Sequence, residues 1–348
     1  MNIRTIDWKN NKVKIIDQTK LPQKLVYVYI DKLKDLWQAI KIMQVRGAPA
    51  LGAASALGVY LGVRDYKGNT WLGFQRRLKN AAQYIASSRP TARNLFLGIE
   101  RVIAVALENR ECPISKIKQS ILKEAKMIMQ EDMLSCRKIG YYGAKLLQNN
   151  SNILTICNAG ILATIDYGTA LGVIYWAVSK GKRIKVYSSE TRPLLQGSRL
   201  TAWELNKQGV DVTMIADNTA AKLMQEQKID LVITGADCIA ANGDSANKIG
   251  TLNLAILCKF HSIPFYISAP LSTFDFKIKS GKDILIEMRD PSEVTKIMCK
   301  RLVAPQGVKV LNPAFDITNH ELISAIITDQ GIIRPPYKKN IMKILKVI

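Results

Sequence analysis

The sequence predicts an α/β fold: a Rossmann-like parallel-sheet domain preceded by a smaller, mainly helical N-terminal domain with a short β-hairpin. In the second part of the chain, short apolar runs alternate with helical segments, as in parallel strands joined by crossover helices. In the first part, one pair of alternating runs is followed by helical periodicity. Since 348 residues are enough for two domains, we place them at 1–135 and 136–348.

The first part is predicted to contain a hairpin and then a series of helices. Two runs of alternating apolar and polar residues surround Lys20-Leu21-Pro22, which favours a turn between two strands. From Asp31 onward, apolar residues recur at helical spacing, and Pro113 is typical of a helix N-terminus. The predicted helices cover 31–43, 50–61, 91–109 and 114–133.

The second part is predicted to alternate strands and helices. The predicted strands cover 153–157, 184–190, 211–217, 230–237, 264–270 and 309–316. The predicted helices cover 161–179, 196–208, 219–226 and 247–260. Ligands of such sheets bind beyond the carboxyl ends of the strands, so we expect the residues at those ends to share one edge. These residues are Cys157, Glu190, Asp217, Asp237 and Pro270.

The composition argues against several classes of protein. The formal net charge of +22 suits either nucleic-acid binding or solvated surface lysines that steer an anionic substrate. The basic residues are dispersed and not interleaved with aromatic residues, so we expect no nucleic-acid partner. No apolar run reaches the roughly 20 residues of a membrane span, and no signal-peptide core is present, which predicts a cytoplasmic protein without a membrane partner. Scattered cysteines and two histidines lack metal-ligand spacing, so we expect neither metal nor cofactor.

Cys157 and Asp237 are the first candidates for chemistry, because each ends a predicted strand and precedes a turn into a predicted helix. A helix N-terminus favours the thiolate form of a cysteine, whereas an aspartate in an apolar pocket can stay protonated and act as an acid. A cysteine that favours its thiolate form and an aspartate that stays protonated, both on one edge, would form an acid–base pair. A small buried cysteine and a capping aspartate follow the same pattern, and the pattern alone favours these structural roles.

Several other residues are candidates for binding a substrate anion. Arg46 lies before a proline-started helix and Arg89 directly before a proline, where a guanidinium can grip phosphate oxygens in a forked geometry. A turn at Asn242-Gly243 would present backbone N–H groups as an anion nest before a helix that starts near Lys248. Gln196, at another helix start, can hydrogen-bond a sugar hydroxyl or a phosphate. The spacing matches neither a Walker loop nor GxGxxG, and capping or surface ion pairing remains the alternative for the arginines.

Six long segments carry a more specific signal. They are VRGAPALG, SRPTARNLF, TICNAGILATIDYGTALGV, ETRPLLQGSRLTAWEL, GADCIAANGDSANKIGT and IPFYISAPLSTFD. Together and in this order they closely resemble the methylthioribose-1-phosphate isomerase family, which is related to the regulatory subunits of translation initiation factor 2B. The resemblance runs from about Val45 to Gly331, nearly the whole chain.

The resemblance implies an enzyme that converts S-methyl-5-thioribose 1-phosphate to S-methyl-5-thioribulose 1-phosphate in methionine salvage, as a homodimer without a cofactor. It makes Cys157 and Asp237 the catalytic pair. Asp237 would protonate the ring oxygen, and Cys157 would act either as a thiolate base or as a stabiliser of a hydride shift; the sequence does not separate these routes. The substrate contacts fall on Arg46, Gly47, Ala48, Arg89, Gln196, Asn247 and Lys248.

Two residues depart from the family pattern. Ile156 stands where a histidine is often seen before the cysteine, and Cys238 stands where an arginine commonly follows GAD. Neither change removes a catalytic residue, but both leave room for a related substrate such as 5-deoxyribose 1-phosphate. Isomerisation of ribose 1,5-bisphosphate is a separate alternative, which would need a second phosphate site, and the sequence shows no obvious spare basic loop for it. The remaining alternative is a non-catalytic regulatory subunit of the initiation factor 2B type, which should lack the Cys/Asp pair or the anion-binding groups.

Overall fold

A computed structural model describes residues 3–297 and 301–345, and these divide into two units within the helix that spans 114–143. The N-terminal unit runs to Leu134 and also contains Ile161–Tyr167. The C-terminal unit comprises Ser135–Gly160 and the chain from Gly168 onward. Each unit has its own hydrophobic core.

The N-terminal unit begins with a three-stranded antiparallel sheet. Its strands are β1 (Ile6–Lys9), β2 (Lys12–Ile16) and β3 (Tyr27–Ile30), in that order. The predicted hairpin is confirmed as β2 and β3, and β1 is an additional strand that was not predicted. Asn10 and Asn11 join β1 to β2 with positive φ angles of 52° and 59°, a backbone typical of tight hairpin turns and tolerated by asparagine.

The helices of this unit pack around a helix made of small residues. They are α1 (Leu33–Lys41), α2 (Ala48–Val63), α3 (Trp71–Ala86), α4 (Arg93–Glu108) and the first part of α5 (Ile114–Gly143). All except α3 confirm predicted helices with shifted ends; α3 was missed although Phe74, Leu78 and Ile85 are buried at helical spacing. A methyl group on Gly98 of α4 would lie 2.2 Å from the Gly52 carbonyl oxygen of α2, so glycine permits this close packing.

The C-terminal unit is built on a mostly parallel sheet. The described strands of the whole unit are β4 (Ser151–Thr155), β5 (Ile184–Ser189), β6 (Asp211–Ile215), β7 (Leu231–Thr234), β8 (Cys238–Ala240), β9 (Ser245–Lys248), β10 (Phe265–Ser268), β11 (Phe274–Asp275), β12 (Lys296–Ile297), β13 (Arg301–Leu302), β14 (Phe315–Thr318), β15 (Ala325–Thr328) and β16 (Gly331–Ile333). The main sheet has the order β6-β5-β4-β7-β10-β15-β16, and β16 runs antiparallel to β15. The chain order reverses between β4 and β7, as in doubly wound folds.

A smaller sheet, with the order β11-β8-β9-β14, contains residues that the sequence assigned elsewhere. The predicted strand 309–316 is wrong as part of the parallel sheet, because its end belongs to β14, which pairs antiparallel with β9. The parallel strand next to β10 is instead β15, a run of four buried residues that was not predicted. The predicted helix start near Asn247 is also wrong, since Asn247 and Lys248 lie on β9.

Helices cover the main sheet, and two of them begin later than predicted. The described helices after α5 are α6 (Ala170–Ser179), α7 (Ala202–Lys207), α8 (Ala220–Gln225), α9 (Thr251–Phe260), α10 (Ser292–Thr295) and α11 (Tyr337–Leu345). The predicted helix 161–179 is wrong in its first half, since α6 begins only after Gly168, which has a φ of +92°. Gly250, with a φ of +99°, likewise delays α9. In the described part of the chain, no helix has both the length and the hydropathy to cross a membrane.

Candidate functional site

Cys157 and Asp237 lie where the strand order of the main sheet reverses. Cys157 comes two residues after the end of β4, and Asp237 comes three residues after the end of β7. The two strands are parallel neighbours, with Leu154 opposite Val232. The carboxyl ends of adjacent parallel strands meet at one edge, and sheets of this kind bind ligands at such a switch point. The predicted placement of both residues at strand ends is therefore confirmed.

Contacts between loops draw the Cys157 segment toward the Asp237 segment. A methyl group on Gly235 would lie 2.8 Å from Cβ of Ala159, so the two loops touch at a position where a side chain does not fit. The Ile156 side chain also approaches to 3.0 Å from where a methyl group on Gly250 would stand. The loop after β4 thus contacts both the loop after β7 and the turn before α9.

Cys157 has a left-handed backbone with a φ of +62°, which a residue with a Cβ adopts at a cost of roughly 1–3 kcal/mol. The Cys157 N–H donates a hydrogen bond to Thr191 Oγ1 (2.8 Å), and Thr201 Oγ1 donates one to the Cys157 carbonyl (2.5 Å). The residue is partly exposed. The predicted helix N-terminus behind the thiol is wrong, because α6 begins only at Ala170.

Asp217, another residue at a strand end, holds the loop after β5. Its carboxylate accepts hydrogen bonds from the Ser189 hydroxyl (2.6 Å), the Thr191 N–H (2.7 Å) and the Arg192 N–H (2.7 Å). Hydrogen bonds to an ionised carboxylate are among the stronger ones in proteins. Asp217 therefore fixes the loop whose Thr191 contacts Cys157.

A buried carboxylate that sequence reasoning missed lies behind the Cys157 loop. Glu204, 1 % exposed, accepts hydrogen bonds from the Asn158 amide (3.0 Å) and the Tyr175 hydroxyl (2.7 Å). Gly160 passes so close that a methyl group there would lie 1.6 Å from a Glu204 carboxylate oxygen. Glutamate is rarely fully buried unless it is paired. A glutamate inside the apolar segment TAWEL was therefore the feature of the sequence that could have indicated this buried carboxylate.

The pairing of β8 with β9 places the main chain of Asp237 beside the segment that contains Asn247 and Lys248. The Asp237 N–H donates to the carbonyl of Ala246 (2.9 Å), one residue before Asn247. The Asn247 amide is buried and donates to Thr251 Oγ1 (3.0 Å). Lys248 is partly buried on the same strand. Asn247 and Lys248 therefore lie on a strand whose main chain is hydrogen-bonded to that of Asp237, not at a helix start.

The turn at Asn242-Gly243 does not form the predicted anion nest. It joins β8 to β9, and the Asn242 amide donates to the Asp244 carboxylate at 2.8 Å. Asp244 also accepts hydrogen bonds from the N–H groups of Gly281 (2.9 Å) and His320 (2.9 Å). Burial opposes the ionisation of Asp244, but these hydrogen bonds outweigh it and lower its pKa. The turn is thus organised around a protein carboxylate.

Gln196 is buried beside an unusual turn. Its side chain is 4 % exposed, and its Oε1 atom has no hydrogen-bond partner among the residues that the structure describes. The following segment, Gly197–Thr201, is a π-helical turn, a feature that is frequent at functional sites. A methyl group on Gly197 would lie 1.6 Å from the Ser189 carbonyl oxygen, so the turn packs directly on the end of β5. A buried acceptor without a protein partner is suited to a donor from a ligand.

A cavity of about 580 Å³ adjoins these loops, within the usual range for small-molecule sites. Residues of its wall include Ile156, Ser189, Arg192, Asp217, Gly250, Asn253, Asn312 and Asp316. Asp316 accepts hydrogen bonds from the N–H groups of Gly250 (2.6 Å) and Leu252 (3.1 Å). Burial raises the pKa of Asp316 to about 6. Ile156, one of the two departures from the family pattern, adds apolar surface to this wall.

The other cysteines near the sheet have different environments. Cys238, the second departure, begins β8 directly after Asp237 and is partly exposed. Cys258 is 1 % exposed on α9, and burial raises its pKa to about 12, as expected of an inert core thiol. Within the described ranges, no group of three or more His, Cys, Asp or Glu side chains is arranged to hold a metal ion.

The N-terminal unit contains the candidates Arg46, Gly47, Ala48 and Arg89. Arg46 is buried. Gly47 has a φ of +94°, and a methyl group there would lie 2.3 Å from the Ala163 carbonyl oxygen, so this position requires glycine. Ala48 is the first residue of α2, where helix N–H groups can bind an anion. Arg89 is partly exposed between α3 and α4.

The fold and the site define a class: an α/β protein with a doubly wound sheet and with Cys157 and Asp237 at its switch point. A sequence model of the initiation factor 2 subunit family matches residues 44–335. The chain belongs to this family.

Relatives within the family bear the names of isomerases. A Moorella thermoacetica protein named 5-deoxyribose 1-phosphate isomerase is 50 % identical over 343 residues, which are 99 % of this chain and 97 % of that protein. A Thermotoga maritima protein named methylthioribose-1-phosphate isomerase is 50 % identical over 347 residues, 100 % of this chain and 99 % of that protein. The crystal structure of 5-methylthioribose 1-phosphate isomerase from Pyrococcus horikoshii OT3 matches with a TM-score of 0.91 at 44 % identity, covering 99 % of this chain and 96 % of that chain. The resemblance inferred from the six segments is confirmed.

Proposed function

We propose that this protein is an isomerase that converts S-methyl-5-thioribose 1-phosphate to S-methyl-5-thioribulose 1-phosphate. The observation that carries the proposal is the position of Cys157 and Asp237 after neighbouring strands at the switch point. A thiol and a carboxyl group at one sheet edge supply the two groups that this isomerisation requires. Relatives named as isomerases, 50 % identical over nearly the whole chain, support the same activity.

The phosphate on the anomeric oxygen determines the first step. Because this oxygen is esterified, the ring cannot open to a free aldehyde, and the bond between C1 and the ring oxygen must break with the help of a proton donor. In our proposal the Asp237 carboxyl group donates a proton to the ring oxygen, which becomes the C4 hydroxyl as the bond breaks. The phosphate stays on C1 throughout.

The second step moves hydrogen from C2 to C1 and converts the C2 hydroxyl to a carbonyl. In one route, the Cys157 thiolate removes the C2 proton, an enol forms, and C1 receives a proton. In the other, a hydride passes from C2 to C1 while the C2 hydroxyl loses its proton, and Cys157 stabilises the transition state. Both routes give the same ketose 1-phosphate. Reaction in deuterated water separates them, since deuterium enters C1 only in the proton route.

We propose seven residues as contacts of the substrate. The cations of Arg46, Arg89 and Lys248 bind phosphate oxygens, and N–H groups at the start of α2 add donors. The role of Gln196 as a contact is supported by its buried Oε1 atom. This atom is without a partner in the described part of the chain and can accept a hydrogen bond from a sugar hydroxyl. The proposed contacts are Arg46, Gly47, Ala48, Arg89, Gln196, Asn247 and Lys248.

5-Deoxyribose 1-phosphate is the second candidate substrate, favoured by the relative of that name. It has the same reacting centres at C1 and C2 and differs only by lacking the methylthio group at C5. The same Cys157 and Asp237 would therefore act on it. A comparison of kcat/KM for the two sugars decides between them.

We also propose that the protein acts as a homodimer in the cytoplasm without a nucleic-acid partner. The family resemblance supports the dimer, and the dispersal of the basic residues supports the absence of a nucleic-acid partner. Light scattering on the purified protein tests the first statement. Tight RNA binding that weakens steeply with salt would instead favour the regulatory-subunit alternative.

Phosphorus and proton NMR test the proposed reaction. Purified protein is incubated with S-methyl-5-thioribose 1-phosphate, 5-deoxyribose 1-phosphate or ribose 1,5-bisphosphate in excess chelator. We expect the first sugar to be converted to its ketose 1-phosphate with the highest kcat/KM, and Cys157→Ser to be slower by about a thousandfold. The proposal is wrong if neither 5-substituted ribose 1-phosphate reacts, or if Cys157→Ser equals the parent.

A further inference from the structure

We propose that Thr191 and Thr201 are positioning residues for the isomerisation, because their hydroxyl groups hold the main chain of Cys157 from both sides. The proposal rests on the catalytic role proposed above for Cys157. Both threonines lie on the segment that follows β5, 34 and 44 residues from Cys157 in the sequence. The contacts therefore exist only in the folded chain.

The two hydroxyls engage both polar groups of the Cys157 main chain. The Cys157 N–H donates to Thr191 Oγ1 at 2.8 Å, and Thr191 Oγ1 donates its own proton to the Ser189 carbonyl at 2.9 Å. From the other side, Thr201 Oγ1 donates to the Cys157 carbonyl at 2.5 Å. Both threonines are fully buried, so water does not readily replace these hydrogen bonds when a hydroxyl is removed.

The clamp, as we call this pair of threonine hydroxyls, counteracts an unfavourable backbone. Cys157 has a φ of +62°, which is disfavoured for any residue with a Cβ. Without the two hydrogen bonds the residue would relax toward an ordinary backbone region, and its Cα–Cβ bond and thiol would turn away. A displacement of about 1 Å at a reacting group can lower a rate by roughly a hundredfold. The clamp would thus set the direction of the thiol.

Each side of the clamp is itself anchored. The Asp217 carboxylate accepts the Thr191 N–H at 2.7 Å and fixes Thr191 at a φ of +68°. Thr201 is the last residue of the π-helical turn Gly197–Thr201, and its Oγ1 also accepts a hydrogen bond from the Asn158 amide at 3.2 Å. Neither hydroxyl can move without disturbing a buried neighbour. This arrangement is expected of residues that hold a strained backbone in place.

Isosteric substitution tests the clamp. Thr191→Val and Thr201→Val remove the hydroxyls and nearly keep the volume, whereas Thr191→Ser and Thr201→Ser keep the hydroxyls. Thr328→Val is the matched control, because Thr328 is fully buried in the same unit with the same pattern of hydrogen bonds. Its hydroxyl accepts the Gln330 N–H (3.1 Å) and donates to the Gly331 carbonyl (2.9 Å). The two sites are tested separately, so one variant that fails to fold leaves the other.

We expect kcat to fall about 10- to 100-fold in each valine variant, with KM unchanged within about twofold, because the thiol moves while the substrate contacts stay. The serine variants should stay within about threefold of the parental kcat. Thr328→Val should have a lower Tm than the parent but the parental kcat per folded molecule. The proposal is overturned by a parental kcat in the folded valine variants, or by an equal fall in Thr328→Val.

Hydrogen exchange tests the clamp without any activity. Mass spectrometry of peptides that cover 153–160 follows the Cys157 amide, which donates to Thr191. In Thr191→Val we expect about one additional amide in this segment to exchange rapidly, while Thr328→Val leaves the segment unchanged. If the parent isomerises no sugar phosphate but this exchange increases, the proposed function fails and the clamp is supported. Unchanged exchange in Thr191→Val overturns the clamp whatever the activity.

Discussion

The main sheet has an amino edge, where its parallel strands begin, and a carboxyl edge, where they end, and the polar side chains at these two edges have different roles. At the amino edge, Asp230 accepts the N–H of Asn152 at 2.6 Å, and Asn149 accepts another backbone N–H at 2.8 Å. These side chains complete the hydrogen bonding of strand ends. At the carboxyl edge, Cys157 is held in a left-handed backbone and Gln196 buries an acceptor that has no partner within the described residues.

A cavity alone does not distinguish the edges, since one of about 430 Å³ lies at the amino edge and one of about 580 Å³ at the carboxyl edge. The distinguishing features are a left-handed backbone at a residue that rarely adopts one, Cys157, and the buried acceptor, both of which cost folding free energy. The amino edge also has a positive φ, 65° at Asn150, but asparagine tolerates this conformation. Strain of this kind clusters at functional sites. Substitutions of Cys157, of Gln196 and of the residues that hold their loops should therefore reduce turnover, whereas matched substitutions elsewhere should change only stability.

The largest expected effect is at Cys157. Cys157→Ala removes the proposed base or stabiliser, and we expect kcat to fall by about a thousandfold or more. Cys258→Ala is the control, because Cys258 is a core thiol on α9 and its loss should cost only roughly 1 kcal/mol of stability. Steady-state kinetics and denaturant unfolding of both variants check this. Similar kcat values in the two variants would contradict a special role for the carboxyl edge.

Gln196→Ala should have the next largest effect. If its buried Oε1 atom accepts a hydrogen bond from the substrate, its loss should lower kcat/KM about 10- to 100-fold. Gln148→Ala is the matched change at the amino edge, where Gln148 is exposed beside the smaller cavity, and it should leave kcat/KM unchanged. Equal values for both variants would show that the buried acceptor has no part in binding.

Asp217→Asn and Asp230→Asn compare the edges by one identical change. Each removes a charge from a carboxylate that accepts backbone N–H hydrogen bonds, and each should lower the free energy of unfolding by about 1–2 kcal/mol. Only Asp217→Asn should also lower kcat, by about tenfold, because it loosens the loop of Thr191. Urea unfolding and kinetics measure the two effects. A tenfold loss of kcat in Asp230→Asn would remove the distinction.

The smallest expected effect is a pH dependence of stability from Asp316. Burial raises the pKa of this carboxyl group from 3.8 to about 6, so between these values the folded state binds more protons than the unfolded chain. Its contribution to stability is complete below about pH 4 and is lost as the pH rises through about 6. We expect the Tm of Asp316→Asn, relative to the parent, to rise by about 2–4 °C from pH 4 to pH 7. A constant or falling difference would contradict the raised pKa.

Much of the C-terminal unit could be predicted because its strands are short, buried apolar runs. Five predicted strands overlap observed ones, namely β4, β5, β6, β7 and β10. Because ligands of a parallel sheet bind beyond the carboxyl ends of its strands, these predictions placed Cys157 and Asp237 on one edge. Helix starts were harder, since 161–165 has apolar residues at helical spacing but Gly168 interrupts with a positive φ. β9, the polar segment SANK, shows no alternation that would predict a strand.

The contacts that hold the site could not be predicted from local patterns. The contacts of Cys157 with Thr191 and Thr201 span 34 and 44 residues, and the contact of Asn158 with Glu204 spans 46. Each depends on how the loops after β4 and β5 pack, which no short sequence pattern records. The left-handed backbone of Cys157 was equally hidden, because cysteine has no intrinsic preference for it.

Turnover by Asp237→Asn tests the central claim most directly. The parent, Asp237→Asn and the amino-edge variant Asp230→Asn are assayed with S-methyl-5-thioribose 1-phosphate and 5-deoxyribose 1-phosphate. Asparagine keeps the shape of the side chain but cannot supply the carboxyl proton. We expect the parent and Asp230→Asn to form the ketose 1-phosphate, and Asp237→Asn to be slower by about a thousandfold or more. Turnover of either sugar by Asp237→Asn at the parental rate would contradict the account.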